Sequence, residues 1–563
     1  MYIKKHCFFV LIFLLLCSTS SFSQDVLNLV PYDGSDATEI FNQIIADTTA
    51  NNGIPPNRVY QLQEGGLYIC QQTFYVEQED VLRLVGAGTA KPIIYLFPTG
   101  SGANPQNPPG YFVRTRGGDL EMTNIALVGY FEPVDSNYYN LQGGMLRAES
   151  GEGSSFIIDN CIFSQINGQV LRTEGATVKI QFTNSILTNL GSLATSNLGA
   201  GKGIDLRASS CDSLILVNNT FTNYQDRVIR HYNFGNPTEG TGDIGYLLFD
   251  HNTLYSGMGF HGTLSLGNMG SRAIITDNLF VDAFASGEDS TDATRAAEWA
   301  NNGEFYPNGL NRMTWTFGAP NDTTHWTISN NFYAISAQGQ AFFDAHTAEP
   351  IVEGSPLSWN INSRLGADSV NAFTKIPDPT FTEVHDLLIN IMEFYVDPAG
   401  GNKTKETGTW DRATDDMDRR PIAYYLDSFD ASYSTSSAAY TGSLGSFPAG
   451  DLNWFPAKKA EWESWVTDVE TDEFSPTSFS LYQNYPNPFN PSTKITFILE
   501  KSGFTTLSIY NLLGEKVETL VAEELPLGTH QVTLDASTLS SGVYFYKLQS
   551  GQYSSVKKMM LLK

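Results

Sequence analysis

Positive charge is scarce in this sequence. Its 33 Lys and Arg stand against 60 Asp and Glu, a formal charge of −27 over 563 residues. That balance argues against nucleic acid or an anionic membrane surface as a partner, and any polyanionic ligand needs a locally basic groove on an acidic body. Cysteine is scarcer still, with five in the chain. Cys7 and Cys17 fall in an N-terminal export signal, and the remaining Cys70, Cys161 and Cys211 are odd in number, with no CxxC pair and no nearby His. They support neither a disulfide framework nor a zinc site, and no metal ligand is assigned. Long apolar runs are missing after the first 23 residues, so no transmembrane segment is expected. With only 17% charged residues and 49 Gly, the composition suits an all-β extracellular protein, and the length implies more than one domain.

The one long apolar run, CFFVLIFLLLC, follows Lys4 and Lys5 and precedes the small residues SFS. Residues 1–23 therefore read as a signal peptide cut near Ser23.

An internal repeat sets the expected architecture. IIDNCIF, QFTNSIL, LVNNTFT, FDHNTLY, ITDNLFV and ISNNFYA share an apolar run, an Asn, one variable residue and an apolar or aromatic residue. Their Asn residues are Asn160, Asn184, Asn219, Asn252, Asn278 and Asn331, spaced 24, 35, 33, 26 and 53 residues apart. Upstream, YFVRTR, GMLRAE, QVLRTE, IDLRAS and VIRHYN each place an Arg after an apolar residue: Arg114, Arg147, Arg172, Arg207 and Arg230. Short strands with corner insertions, repeated in this way, predict a parallel β-helix. Asn tolerates the left-handed backbone of a sharp corner, and stacked Asn side chains can bond one another along the axis as a structural ladder.

The residues alternating with Arg (Leu146, Leu171, Leu206 and Ile229) point inward on this reading, so the Arg side chains point out. At the strand spacing of about 5 Å, neighbouring Arg charges repel by about 0.8 kcal/mol in water. Glu149, Glu174 and Asp205 lie two residues from Arg147, Arg172 and Arg207, and so offer counter-charge, whereas Arg114 and Arg230 have none at that spacing. The middle arginines thus read as rungs of a salt-bridge ladder, and Arg230 stays open between ladder and site. His231 alternates with Arg230 and is expected in the core, and His251 is expected at a corner.

Over residues 100 to 345, with NNTF and DNLF as its clearest marks, the sequence resembles the right-handed parallel β-helix proteins of the pectate lyase superfamily. That resemblance implies a substrate groove along the first sheet. IDLRASS followed by VIRHYN is also similar to the alginate and dermatan lyases of the chondroitinase B type. There Arg207 would match the base that removes the proton α to a uronate carboxylate, and Arg230 the acid that protonates the departing glycosidic oxygen. Arg207 stands where that pattern has Lys, Tyr232 where it has Gly, and GAGKG where acidic residues would hold calcium. The resemblance implies a protein that engages an anionic polysaccharide, with Arg114, Arg147, Arg172 and Tyr232 as substrate contacts beside the outward aromatics Tyr224 and Phe234. Cleavage by β-elimination, with calcium as an open cofactor, is one expectation. Non-catalytic glycan binding and a purely structural surface role are the alternatives, and a monomer is expected.

The C-terminal stretch LYQNYPNPFNPSTKITFIL opens a run of alternating apolar and polar segments. Over residues 476 to 563 it resembles the type A C-terminal sorting domain of the type IX secretion system, an immunoglobulin-like sandwich. Tyr485, Pro486, Pro488, Phe489, Asn490 and Pro491 carry the motif. The resemblance implies passage by the Sec route and then by the type IX machinery, leaving the protein secreted or attached at the outer-membrane surface.

The expected organisation is a signal peptide at 1–23, an N-terminal cap with first coils at 24–100, and a β-helix at 101–345. Irregular coils and a C-terminal cap containing GDLNWFP follow at 346–465, then a linker at 466–475 and the sorting domain at 476–563.

Overall fold

The computed structural model describes residues 25–99, 108–129, 143–149, 153–191, 201–207, 209–231, 244–257, 262–267, 269–283, 316–317, 324–345, 361, 364–384, 429–469, 480–481, 484, 487–499, 503–512, 514–525, 528–551 and 553–562. The signal peptide, Tyr232, Phe234, Tyr485 and Pro486 lie outside them. The chain forms two compact units, divided near Trp462.

The larger unit is a parallel β-helix of three sheets. Each coil passes through an eight-stranded first sheet, a ten-stranded second sheet and a ten-stranded third sheet. One coil shows the order: Gly144–Ala148, then Ser154–Asp159, a two-residue corner at Asn160 and Cys161, then Ile162–Ile166. Every strand pair in the three sheets is parallel, with coils in step as in Leu146 opposite Leu171 or Phe163 opposite Leu187, apart from register shifts at Ser154/Ser155 and Ile244/Tyr246. Inward residues alternate along each strand and merge into one core running from Leu29 to Ala372. Parallel stacking buries both edges of each inner strand, which explains why β-branched and apolar residues fill it.

The first coils include Arg58–Leu62, Leu67–Cys70 and Phe74–Glu77, one strand in each of the three sheets. The helix Ile40–Asn51 covers this end, burying Ile40, Phe41 and Ile44. Its cap is Glu39, whose side chain accepts from Asn42 N at 2.7 Å.

The Asn pattern resolves into two columns one residue apart. Asn124, Asn160, Asn184, Asn218, His251, Asp277 and Asn330 all have left-handed backbones, with φ between 49° and 59°. Asn160 and Asn184 therefore hold the corner itself and do not belong to the inner ladder expected for them. The inner ladder is Asn219, Asn252, Asn278 and Asn331, each donating from Nδ2 to Oδ1 of the next or, at the end, to Ala372 O, at 2.8–3.0 Å. Each also bonds a backbone carbonyl, so the buried amides are satisfied. Ser185 and Cys161 continue the ladder upward: Ser185 N donates to Asn219 Oδ1 and Cys161 N to Ser185 Oγ.

Residues 429–462 form a strap that runs back along this corner. Gly450 N bonds Asp277 O, Asp451 N bonds Thr253 Oγ1, Asn453 Nδ2 bonds Asn218 O, and Lys459 Nζ bonds Asn184 Oδ1. Gly450 sits at φ +85°, and a Cβ there would lie 2.5 Å from Thr253 Oγ1, so only glycine allows this close approach. Phe429, Tyr433, Ala439 and Ala449 pack with Tyr255, Leu279, Val281 and Phe332 to form a second apolar cluster.

The smaller unit is an antiparallel sandwich. Ser480–Leu481, Ser492–Leu499 and Gly528–Asp535 form one sheet; Lys516–Leu525, Gly503–Tyr510, Gly542–Ser550 and Tyr553–Leu561 form the other. Its own core includes Phe489, Phe497, Leu507, Tyr546 and Leu561.

Candidate functional site on the first sheet

Outward residues of the first sheet form two columns. The first reads Tyr75, Arg114, Arg147, Arg172, Asp205, Arg230 and Ser265 from coil to coil. Arg207 is therefore not the fourth member of the arginine column, because Asp205 holds that place. Arg207 follows Leu206, which stands opposite Thr173, and its N donates to Thr173 O, so it lines up with Glu174 in the second column. Leu206 points inward as expected, and so does Ile204, the true counterpart of Leu171. IDLRAS mimics QVLRTE while standing two residues out of step.

Counter-charges come mostly from the neighbouring coil, with Arg172 and Glu174 the pair within one coil. Arg114 Nη1 lies 3.0 Å from Glu149, and Arg116 bonds both Glu149 at 2.8 Å and Glu77 at 3.1 Å. Arg147 and Arg172 share Glu174, the latter at 2.9 Å. Arg114 and Arg230, which lack a same-strand acid, are thus both paired, Arg230 with Asp205 at 3.2 Å. Arg116, Tyr75 and Tyr111 are additional members that the repeat pattern did not single out. Arg116 stacks 3.9 Å from the Tyr75 ring centre, and Arg114 lies 4.8 Å from that of Tyr111.

The far end of the face differs. The Arg230 side chain is only 14% exposed and Asp205 is fully buried. Behind them Lys202 Nζ meets Asp226 at 3.2 Å, Arg227 Nε meets Asp226 at 3.5 Å, and Arg227 Nη1 donates to Ser265 Oγ. Burial lowers the Arg230 pKa, with Asp205 opposing and Arg227 assisting. Lys202 is lowered by burial in the same way. Lys202, Asp226 and Arg227 sit in glycine-rich or loop-like sequence, which offered no signal for a buried charge cluster. Tyr224 is wholly buried in the third sheet and is not an outward contact. His231 is in the core as expected, pushed down to about 3 by burial, and neither ring nitrogen has a hydrogen-bond partner among the described residues. Cys70, Cys161 and Cys211 are free and buried, with thiol pKa values raised by burial.

In the sandwich, the proline-rich motif ties the last strand to the rest. Phe489 is buried, its N bonds Met560 O, its O accepts from Leu562 N, and Asn487 Oδ1 accepts from Met560 N. Pro491 O accepts from Ala536 N. Residues 483–562 match the family model of the secretion system C-terminal sorting domain. The sorting domain makes this a protein exported to the outside of the cell, secreted or held at its surface, and implies the type IX machinery as a partner. No helix among the described residues is long and apolar enough to cross a membrane. A comparison with curated proteins gave no match.

Proposed function

We propose that the protein binds an anionic polysaccharide along the first sheet of its β-helix. The observation that carries this reading is the run of Arg114, Arg147 and Arg172 on three consecutive coils, each side chain 24% exposed. Glu149 is shared by two arginines and Glu174 by two more, so cationic groups outnumber anionic ones locally on an acidic chain. Coil spacing of about 4.8 Å is close to the length of one sugar unit, which suits a ligand bearing a carboxylate at each repeat. Guanidinium groups take carboxylates in a bidentate fashion, and Tyr75 and Tyr111 offer flat faces to sugar rings.

Cleavage by β-elimination is the second reading, favoured by the burial that makes Arg230 a better proton donor. Arg207 and Arg230 lie on adjacent strands, with Cα atoms offset by about 8 Å given the strand spacing and rise. In this reading Arg207 would act from its neutral guanidine form, taking the proton α to the carboxylate and becoming guanidinium, while Arg230 would give its own proton to the leaving oxygen as the C–O bond breaks.

Affinity electrophoresis of the full chain through alginate, pectate, dermatan and chondroitin tests both readings. Retardation by one polymer that Arg147→Ala with Arg172→Ala abolishes supports binding; mobility unchanged on all four defeats it. Ultraviolet absorbance from unsaturated uronate, with and without calcium, decides whether bonds are also cut.

A further inference from the structure

At the left-handed corner after the second sheet, Asn124, Asn160, Asn184, Asn218 and Asn330 meet the backbone requirement. Two consecutive coils depart from this, with His251 and Asp277 at the same position. Asn satisfies the fold there, so the imidazole and the carboxylate call for another explanation. Asp250, the last residue of Ile244–Asp250, stands beside them. Donor atoms of Asp250, His251 and Asp277 all lie within 4.8 Å of one another, and all three residues are buried.

Protein groups satisfy the carboxylates in part: Thr276 Oγ1 donates to Asp250 Oδ1 at 2.6 Å and Leu444 N donates to Asp277 Oδ1 at 3.1 Å. His251 Nδ1 lies 2.8 Å from Asp250 Oδ2, but the buried Nε2 has no hydrogen-bond partner among the described residues. Asp451 adds a third carboxylate from the strap, its charge acting on His251. Lys459, on the same strap, directs its ammonium to Asn184 Oδ1 and Asn453 Oδ1.

We propose that Asp250, His251 and Asp277 bind one divalent transition-metal ion of the zinc class where the strap closes over the corner. A mixed imidazole and carboxylate set with three protein donors fits a four-coordinate ion with ligands about 2.1 Å away, which small side-chain rotations reach. Calcium prefers six to eight oxygens, and this buried corner with one nitrogen donor does not supply them. The ion joins two adjacent coils directly beneath Leu444, whose N already bonds Asp277 Oδ1 at 3.1 Å. This site is independent of the glycan-binding reading.

The test uses the full chain, stripped with a chelator and dialysed against zinc alone, with bound metal measured by atomic emission. Wild type retains about one zinc per chain and its thermal midpoint rises. His251→Asn and Asp277→Asn lose both effects, and they should fold because each installs the residue that five other coils carry at that corner. Absence of zinc from the wild type, or equal retention in both variants, would overturn the proposal. Retention of calcium that zinc fails to displace would overturn the assigned metal class.

Discussion

Arg230 and Asp205 face each other on adjacent coils, Nη1 to Oδ1 at 3.2 Å, with Asp205 wholly buried and Arg230 nearly so. Arg230→Ala would leave that carboxylate buried without its guanidinium, and removal of one partner of a buried pair costs about 3 kcal/mol or more. Guanidinium denaturation should show this loss, while adding Asp205→Asn to Arg230→Ala should restore much of it. Arg147→Ala, at a more exposed pair, should cost under about 1 kcal/mol. Loss of any activity in Arg230→Ala is therefore informative only beside a folded control such as Arg230→Lys.

The two Asn columns predict unequal penalties. Asn252 accepts from Asn219 N and Nδ2, and donates to Leu216 O and Asn278 Oδ1, all in the interior. Asn252→Ala leaves several of these groups unpaired and should cost about 3 kcal/mol or more, at 1–3 kcal/mol per buried orphan. Asn184 is only half-buried and bonds Asp159 and Lys459. Asn184→Ala should cost about 1 kcal/mol, mainly for forcing Ala into a left-handed corner. Equal losses in urea titrations would contradict the division into a corner column and a ladder.

His231 makes the fold acid-sensitive. Its folded pKa, about 3, lies below the ordinary value of 6.5, so the unfolded chain binds the extra proton between those values. Stability from this residue is complete above pH 6.5 and falls as the pH drops toward 3. Two pH units below 6.5 correspond to about 3 kcal/mol. His231→Leu should flatten the profile over that window; a slope identical to wild type would show that the imidazole is solvated.

Asp282 acts in the opposite sense. Burial raises it to about 6 from 3.8, against hydrogen bonds from Ser336, so the folded chain holds the proton and loses stability as the pH rises through that window. The penalty persists above pH 6. Asp282 has φ 51°, a conformation that Asn accepts, and Asn can still take the Ser336 N bond through its amide oxygen. Asp282→Asn should therefore gain about 3 kcal/mol at pH 8 and little at pH 3.5, read from thermal midpoints at the two pH values.

The β-helix was legible because one physical demand recurs on every coil: apolar side chains in, a charged column out, and a left-handed turn that Asn fulfils. The exact step was less legible. Asn218 with Asn219, and Asn330 with Asn331, present two adjacent candidates for one corner, and the single-Asn repeats at 160 and 184 could be aligned to either. Arg207 misled for the same reason, since alternation has a period of two and a slip of two residues leaves the pattern intact. The buried charges Lys202, Asp226 and Arg227 were hidden because polarity in a sequence normally marks solvent, and only the stacking of the next coil shows that these side chains are enclosed. The strap has no period to detect.

Because the strap reaches back across separations of 167 to 275 residues, from Leu444 to Asp277 and from Lys459 to Asn184, the order of assembly is constrained. Coils can stack on one another as each emerges, but the corner from residue 184 to 277 stays uncovered until the chain has been delivered as far as residue 459. Closure of so long a loop is slow compared with local stacking. A chain that emerges N-terminus first would thus keep its middle coils uncovered until the sequence just before the sorting domain arrives, so that the β-helix is completed late in its delivery rather than at the start.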